Sequence, residues 1–266
     1  MDEARRGLAL KYLERRRAID GWLDRADGLV LVQISALQSS AGLTANLLEI
    51  GAYRGKSAIL LGYLLEPSER LYVCDTFDGT KAPGGLWVDG KRQYPGLSRS
   101  EFDRNYARFH AAPPVVLECP SADLLARGLV EGPLRMVHVD GSYEPAAIAQ
   151  DIATARALIA PGGVVVFEDD HSLHNPGVAP AVGAELARGE LRALCMTPWK
   201  LYATAAGDPA GLVPALRAWA HSTADFVAEI GTIAGQDTLL LYPRPMRGGP
   251  WRAIDRKAGI VRHSSR

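Results

Sequence analysis

The sequence has no surplus of either charge, few cysteines and no apolar run long enough to cross a membrane. Its 266 residues contain 30 lysines and arginines against 30 aspartates and glutamates, so net charge gives no support for a nucleic-acid or membrane partner. The three cysteines, Cys74, Cys119 and Cys195, form no Cys-x-x-Cys pair, which argues against a disulfide framework and a zinc site. The N-terminus is too charged for a secretory signal. We therefore expect a cytoplasmic protein.

Nearly half of the chain is apolar, 47%, as in a globular protein with a sizeable core. Apolar segments at 46–50, 70–74, 115–118, 134–139 and 164–167 predict strands, and helical patterns such as 100–110 and 144–159 lie between them. Two further strands are expected at 199–204 and 238–242, at least one of them antiparallel, with a helix at 211–228. This alternation predicts an α/β fold with a mostly parallel, seven-stranded sheet and helices on both faces. Residues 1–42 form an N-terminal helical cap in this interpretation, 43–243 the main domain and 244–266 a tail.

The segment LLEIGAYRGKSAILLGYLL, residues 47–65, has the pattern of a strand, a glycine turn and a helix. Gly51 and Gly55 let the backbone approach a ligand closely, and free N–H groups near Ser57 can bind an anionic group. Glu49 precedes the turn and would repel a pyrophosphate, but it favours a cationic ligand. S-adenosylmethionine (SAM) carries a sulfonium, an ammonium, a carboxylate and a ribose diol. The turn offers complementary groups.

More acids stand where later strands end: Asp75, Asp140, Asp169 and Asp170. In an open α/β sheet, ligands bind outside the carboxyl ends of the strands, and an acid after the second strand commonly holds ribose hydroxyls. The last three carboxylates follow strands that we expect to be neighbours, and an all-oxygen cluster suits Mg²⁺ or Ca²⁺. Taken singly, each acid is equally well explained as a helix cap or as solvated surface.

Three segments, LLEIGAYRGKSAILL, VHVDGSYE and PGGVVVFEDDH, together resemble class I SAM-dependent methyltransferases, and specifically the metal-dependent O-methyltransferases. The first is similar to the SAM-binding motif of catechol O-methyltransferase. The other two are closer to the macrolide-sugar and aminocoumarin (macrocin-type) enzymes of antibiotic pathways. The resemblance spans roughly residues 19–204 and implies a Rossmann-like fold and a small-molecule hydroxyl acceptor.

The resemblance also implies roles for individual residues. It puts Glu49, Gly51, Tyr53, Gly55 and Ser57 around the methionine part of SAM. It puts Asp75 with Thr76 at the ribose, and Ser121 and Ala122 beside the adenine. Asp140, which also belongs to the cofactor site, would bind a divalent metal, Mg²⁺ or another, together with Asp169 and Asp170.

The chain departs from these relatives at Tyr143, where they carry a lysine or histidine that can act as the general base. A tyrosine hydroxyl with a pKa near ~10 is a poor base at neutral pH. We expect His171 to take this role and Tyr143 to orient the substrate, with Asp140 completing the catalytic set. His171 is equally well explained as a surface residue. His138, inside the fourth strand, is expected to be a hydrogen-bonded core histidine.

Two other functions stay open on sequence grounds. Some relatives of this motif set are hydroxylases of the cephalosporin type, although a 2-His-1-carboxylate iron triad is not evident. A SAM-binding domain without catalysis would also explain the loss of the base at position 143. The loop at 80–97 is interpreted as a flap over the substrate, and the N-terminal helix with this flap suggests a homo-oligomer.

Overall fold

The computed structural model of the chain describes residues 1–77, 86–88, 91–93, 97–141, 145–168, 177–205 and 211–244. The helices are α1 Glu3–Arg15, α2 Arg25–Ser40, α3 Lys56–Leu64, α4 Arg99–Ala107, α5 Ala122–Ala126, α6 Pro145–Leu158, α7 Val178–Ala187 and α8 Leu212–Ser222. The strands are β1 Asn46–Ile50, β2 Leu71–Cys74, β3 Leu86–Val88, β4 Lys91–Gln93, β5 Val115–Leu117, β6 Leu134–Val139, β7 Ile159–Glu168, β8 Arg192–Met196, β9 Lys200–Thr204, β10 Phe226–Ile233 and β11 Gln236–Pro243.

One sheet of nine strands carries the fold, in the order β10-β11-β8-β9-β7-β6-β1-β2-β5. The strands from β7 to β5 in this order are parallel, as predicted, and β9 runs antiparallel to β7 and β8. The α/β class, the parallel core and the adjacency of the fourth and fifth predicted strands (β6 and β7) are confirmed. The predicted count of seven strands is wrong, because β8 and β10 were missed.

Strand β10 lies in the C-terminal part of the chain, where the sequence predicted a helix instead. A helix was predicted over 211–228, but α8 ends at Ser222 and β10 begins at Phe226. Phe226 is buried against Trp219 of α8, with ring centroids 5.2 Å apart. Ala234 and Gly235 both have positive φ, 48° and 80°, which is the conformation of a two-residue hairpin turn. This turn pairs β10 with β11 along the edge of the sheet.

Two apolar layers cover the sheet. Helices α1, α2, α3, α4 and α8 contribute to the core on one face, and α5, α6 and α7 contribute to the core on the other. Alternate residues of each strand enter alternate cores: Leu47 of β1 belongs to the first, and Leu48 belongs to the second. The prediction of helices on both faces is therefore confirmed.

The N-terminal helices lie over the first face and touch the segment that follows β1. Asp2 caps α1 by accepting from the backbone of Arg5, and the helix buries Ala9, Tyr12 and Leu13. The Tyr12 hydroxyl donates to the carbonyl of Lys56, the first residue of α3, at 2.6 Å. Within the residues that the structure describes, no helix is long and apolar enough to cross a membrane. The division at residues 42 and 243 and the oligomeric state stay predictions.

Candidate cofactor site

The candidate site lies where the strand order reverses. β1 has β2 on one side and β6 on the other, and chain continuity leads from β1 to β2 and β5 before it returns to β6. In doubly wound sheets the crevice at this reversal, at the carboxyl ends of the strands, is where ligands bind. The turn 51–55 after β1 and the acids after β2 and β6 all stand at this end.

Gly51 permits the close contact between the ends of β1 and β6. Its φ is +83°, and a Cβ built on it would lie 2.0 Å from the carbonyl oxygen of Asp140. The Asp140 amide also donates to the carbonyl of Ile50 at 2.8 Å. Any side chain at position 51 would collide with backbone, which moves less readily than a side chain. Gly55 closes the turn with φ +89° and packs against the ring of Phe102.

Asp75 holds the glycine turn in place. Its Oδ2 accepts hydrogen bonds from the amides of Ala52, at 2.7 Å, and Tyr53, at 3.0 Å. Its Oδ1 accepts from the amide of Phe77 at 2.8 Å. Tyr53 and Phe77 both have positive φ, 47° and 48°, a conformation that costs free energy in residues with a side chain. One carboxylate therefore stabilises two strained backbone positions. Thr76, which lies between Asp75 and Phe77 in the chain, is exposed.

Tyr53 connects the turn to the N-terminal cap. Its ring stacks at a tilt against Trp22, with centroids 5.6 Å apart, and Trp22 is 58% exposed. The carbonyl of Gly21 accepts from the Lys56 ammonium at 2.5 Å, and Arg54 forms an ion pair with Asp20. Residues 20–22 thus form a wall beside the turn.

Glu49 points into the protein rather than toward solvent. Its side chain is fully buried, and burial raises its pKa to about 8, while the nearby Ser57 hydroxyl and the charge of Lys200 work in the opposite direction. Its Oε1 lies within hydrogen-bond distance of Nδ1 of His138, at 2.9 Å. Its Oε2 has no hydrogen-bond partner within the described residues. Ser57, the second residue of α3, is buried beside it.

His138 continues from Glu49 into a buried polar chain. Its Nε2 lies 2.9 Å from Nζ of Lys200 on β9, and Lys200 is in direct contact with Glu168 at the end of β7. The prediction of a hydrogen-bonded core histidine is confirmed. Burial, reinforced by the Lys200 charge, holds the pKa of His138 well below its usual value, so the ring is neutral.

Ser121 and Ala122 begin α5, on the far side of β2. Ser121 is half-buried and Ala122 is exposed. Ser121 lies near Asp151 of α6, a buried acid whose pKa burial raises to about 6 while the Ser121 hydroxyl works in the opposite direction. Asp151 lies behind Gly141, since a Cβ on that glycine would come within 3.0 Å of its Oδ2. The adenine assignment of Ser121 and Ala122 stays a prediction.

Asp140 is the member of the predicted metal set whose position the structure describes. It is partly exposed and follows β6. The register pairs Val139 with Phe167, so Asp140 is level with Glu168 at the end of β7. Asp169, Asp170 and the predicted catalytic residues His171 and Tyr143 lie outside the described residues. Among the residues with described side chains, no three His, Cys, Asp or Glu side chains are arranged to hold a metal ion.

Comparison with known proteins gives one match at the level of sequence and several at the level of fold. Residues 48–170 match the family model of a methyltransferase domain. No curated protein sequence matches the chain. The turn, Asp75 and Asp140 all fall inside the matched segment.

Several solved structures share the fold of this chain. The O-methyltransferase NovP has 18% identity and a TM-score of 0.55, over 66% of this chain and 77% of its own. The calicheamicin methyltransferase CalS11 has 16% identity and a TM-score of 0.51, over 78% and 95%. The SAH-bound methyltransferase PaMTH1 of Podospora anserina has 12% identity and a TM-score of 0.51, over 75% and 88%. The Rossmann-like fold implied by the sequence resemblance is confirmed.

Three residues near the candidate cofactor site were not predicted from the sequence. Lys200 on β9 and Asp27 in α2 of the helical cap are both fully buried, and Trp22 stands beside the turn. A lysine at the start of an otherwise apolar strand, Lys-Leu-Tyr-Ala-Thr, is the signal that was available for Lys200, because a buried lysine needs a partner. Nothing in the local sequence distinguishes Asp27 from an ordinary acid in the first turn of a helix.

Proposed function

We propose that the protein is a SAM-dependent, divalent-metal-assisted O-methyltransferase that acts on a hydroxyl of a small molecule such as a sugar, a phenol or a secondary metabolite. The observation that carries the proposal is the glycine turn at the strand reversal, held by Asp75 inside the segment that matches the family model of a methyltransferase domain. The O-methyltransferases NovP and CalS11 share the fold, which supports the reaction class and leaves the acceptor open.

In this proposal the chain's own residues bind and orient SAM. The amides at the start of α3 and the Ser57 hydroxyl face the carboxylate of the methionine part, because a helix N-terminus favours an anion. The ribose diol lies against Asp75 and Thr76, since Asp75 makes one hydrogen bond through Oδ1 and a carboxylate oxygen can accept two. Adenine lies toward Ser121 and Ala122. Holding the acceptor oxygen in line with the methyl group and the sulfur supplies much of the rate of such a displacement.

We assign the metal to Asp140, Asp169 and Asp170. The register that sets Asp140 level with Glu168 supports this choice, because Asp169 and Asp170 come next in the chain. Carboxylate oxygens suit Mg²⁺, which when bound lowers the pKa of a coordinated hydroxyl. His171 is the proposed general base and Tyr143 the residue that orients the acceptor.

Calorimetric titration with S-adenosylhomocysteine (SAH), with and without Mg²⁺, tests the cofactor assignment, and methyl transfer to a panel of hydroxyl compounds tests the reaction. We expect SAH to bind in both conditions and Mg²⁺ to stimulate methyl transfer. Failure to bind SAH or SAM overturns the proposal. Binding without transfer to any acceptor instead favours a SAM-binding domain without catalysis.

A variant of a metal acid tests metal assistance separately from cofactor binding. Asp140→Asn should remove Mg²⁺-stimulated transfer, with SAH affinity changed by less than about fivefold. Asp103→Asn, which alters an exposed acid of α4 paired with Arg99, is the control and should leave both unchanged. Retention of metal-stimulated transfer by Asp140→Asn would remove Asp140 from the metal set.

A further inference from the structure

Four buried polar side chains form a continuous chain across the sheet beneath the helical cap. Glu49 on β1, His138 on β6, Glu168 on β7 and Lys200 on β9 all lie on the same face, and none is more than 7% exposed. The distances are 2.9 Å from Glu49 Oε1 to His138 Nδ1 and 2.9 Å from His138 Nε2 to Lys200 Nζ. Lys200 in turn contacts Glu168 directly. Glu49, which precedes the glycine turn, is therefore connected through His138 and Lys200 to Glu168 at the end of β7.

The chemistry of these groups sets the direction of the hydrogen bonds. An ammonium has three donors and no acceptor, so Lys200 requires the lone pair of His138 Nε2 as its acceptor. Nε2 then carries no proton, so the ring proton resides on Nδ1, where it donates to Glu49. Which nitrogen carries the proton in a histidine is fixed by the partner of the other nitrogen. Without Lys200, Nε2 would be free to carry the proton, with Glu168 Oε2 3.5 Å away as its acceptor.

Once His138 holds Oε1, the other oxygen of Glu49 remains unused. Oε2 is buried and has no hydrogen-bond partner within the described residues. Leaving a buried acceptor without a donor destabilises the protein, so Oε2 marks a place where a ligand donor stabilises it. Glu49 lies two residues before Gly51, and the α-ammonium is the cationic donor that SAM brings to this turn.

We propose that Lys200 is a positioning residue of the cofactor site: it fixes His138 in the Nδ1–H tautomer, and His138 holds Glu49 so that Oε2 accepts from the α-ammonium of SAM. The proposal rests on the proposed cofactor. Lys200 thereby takes part in selecting the amino group of the ligand, although it lies on β9, 151 positions after Glu49 in the chain.

Nitrogen NMR of the histidine rings tests the tautomer without any cofactor. With ¹⁵N-labelled protein, and with the His138 signals identified by their loss in His138→Gln, we expect Nδ1 protonated and Nε2 unprotonated in the wild type. Lys200→Met should move the proton to Nε2. Because that variant leaves Glu168 buried without its partner, Lys200→Met/Glu168→Gln is the second form to be measured. A wild-type ring with the proton on Nε2, or a doubly protonated ring, overturns the proposal.

Affinity for SAH and for its analogue without the α-amino group tests the role of Glu49. We expect the wild type to prefer SAH at least tenfold, and both Lys200 variants to reduce that preference to threefold or less by weakening SAH alone. Glu69→Gln, which alters a buried pair on the same face with Arg135, is the control for loss of stability and should keep the preference. An equal loss for both ligands, or no wild-type preference, overturns the proposal. Absence of SAH binding by the wild type overturns the proposed function instead.

Discussion

The backbone of Gly51 lies against that of Asp140, so that a Cβ at position 51 would be 2.0 Å from the Asp140 carbonyl oxygen. Gly51→Ala therefore adds a backbone clash to the cost of a left-handed residue, which is about 1–2 kcal/mol. Overpacking adds about 1–3 kcal/mol. We expect a loss of about 3 kcal/mol in the free energy of unfolding and loss of SAH binding, measured by urea denaturation and calorimetry.

Gly42→Ala is the matched control for this substitution. Gly42 also has a positive φ, +76°, but a Cβ there meets nothing within 4 Å. Its loss should stay near 1–2 kcal/mol, and SAH affinity should not change. Equal losses for the two variants would show that conformation, and not the contact between the two strand ends, requires glycine at position 51.

Asp75→Asn tests whether the carboxylate organises the turn. The asparagine keeps one oxygen for the amides of Ala52 and Tyr53, but it then presents an N–H₂ group to the amide of Phe77, which is also a donor. Hydrogen bonds to a charged group contribute about 1.5–3 kcal/mol each. We expect SAH affinity to fall at least tenfold by calorimetry, with Asp103→Asn unchanged. Full affinity in Asp75→Asn would mean that the turn forms without this carboxylate.

The strand, turn and helix around Gly51 were predictable because the signals are local. A glycine turn between an apolar strand and a helical pattern can be read within about 20 residues, and acids at strand ends follow from the same pattern. The pattern therefore correctly predicted that Asp75 and Asp140 lie at the carboxyl ends of their strands. The edge strands β8 and β10 were missed. For β10, the predicted helix was extended through Phe226, although the Ala234–Gly235 turn marks a hairpin.

The buried polar chain was not predictable, because its contacts join distant parts of the sequence. Lys200 meets His138 across 62 positions, and Thr197 donates to Asp27 across 170. No local period marks such pairs. A charged residue in an apolar strand indicates that a partner exists, and only the strand order shows which residue it is.

Arg135 shows the same long-range dependence in a purely structural pair. It is fully buried at the start of β6 and donates to both Glu69 oxygens, at 2.7 and 2.8 Å, as well as to the carbonyl of Leu64. Arg135→Met leaves the Glu69 carboxylate buried without its partner, a change that typically costs about 3–5 kcal/mol. We expect a loss of that size in the free energy of unfolding by urea denaturation.

Arg70→Met is the control for the Arg135 variant. Arg70 pairs with Glu131 at 2.8 Å, but the two side chains are 58% and 73% exposed, and such pairs contribute about 0–1 kcal/mol. A small loss in Arg70→Met beside a large one in Arg135→Met attributes the difference to burial. Similar losses in both would contradict that explanation.

Asp27 gives the fold a defined pH dependence. It is fully buried, its Oδ1 accepts from the hydroxyls of Thr197 and Tyr202, and burial raises its pKa to about 6. The unfolded value is about 3.9. The folded state therefore holds a proton that the unfolded state has lost, and this contribution to stability is complete below about pH 4 and is lost as pH rises to about 6.

Asp27→Asn removes that pH dependence and keeps the acceptor oxygen for both hydroxyls. Its amide also replaces Oδ2, which has no hydrogen-bond partner within the described residues. The free energy of unfolding of the variant minus that of the wild type should rise between pH 4 and 6 by up to about 3 kcal/mol and stay level above. Urea denaturation at several pH values measures this difference, in which the titration of unrelated groups cancels. A difference that does not change with pH would mean that Asp27 titrates normally and that its burial is compensated by Lys200.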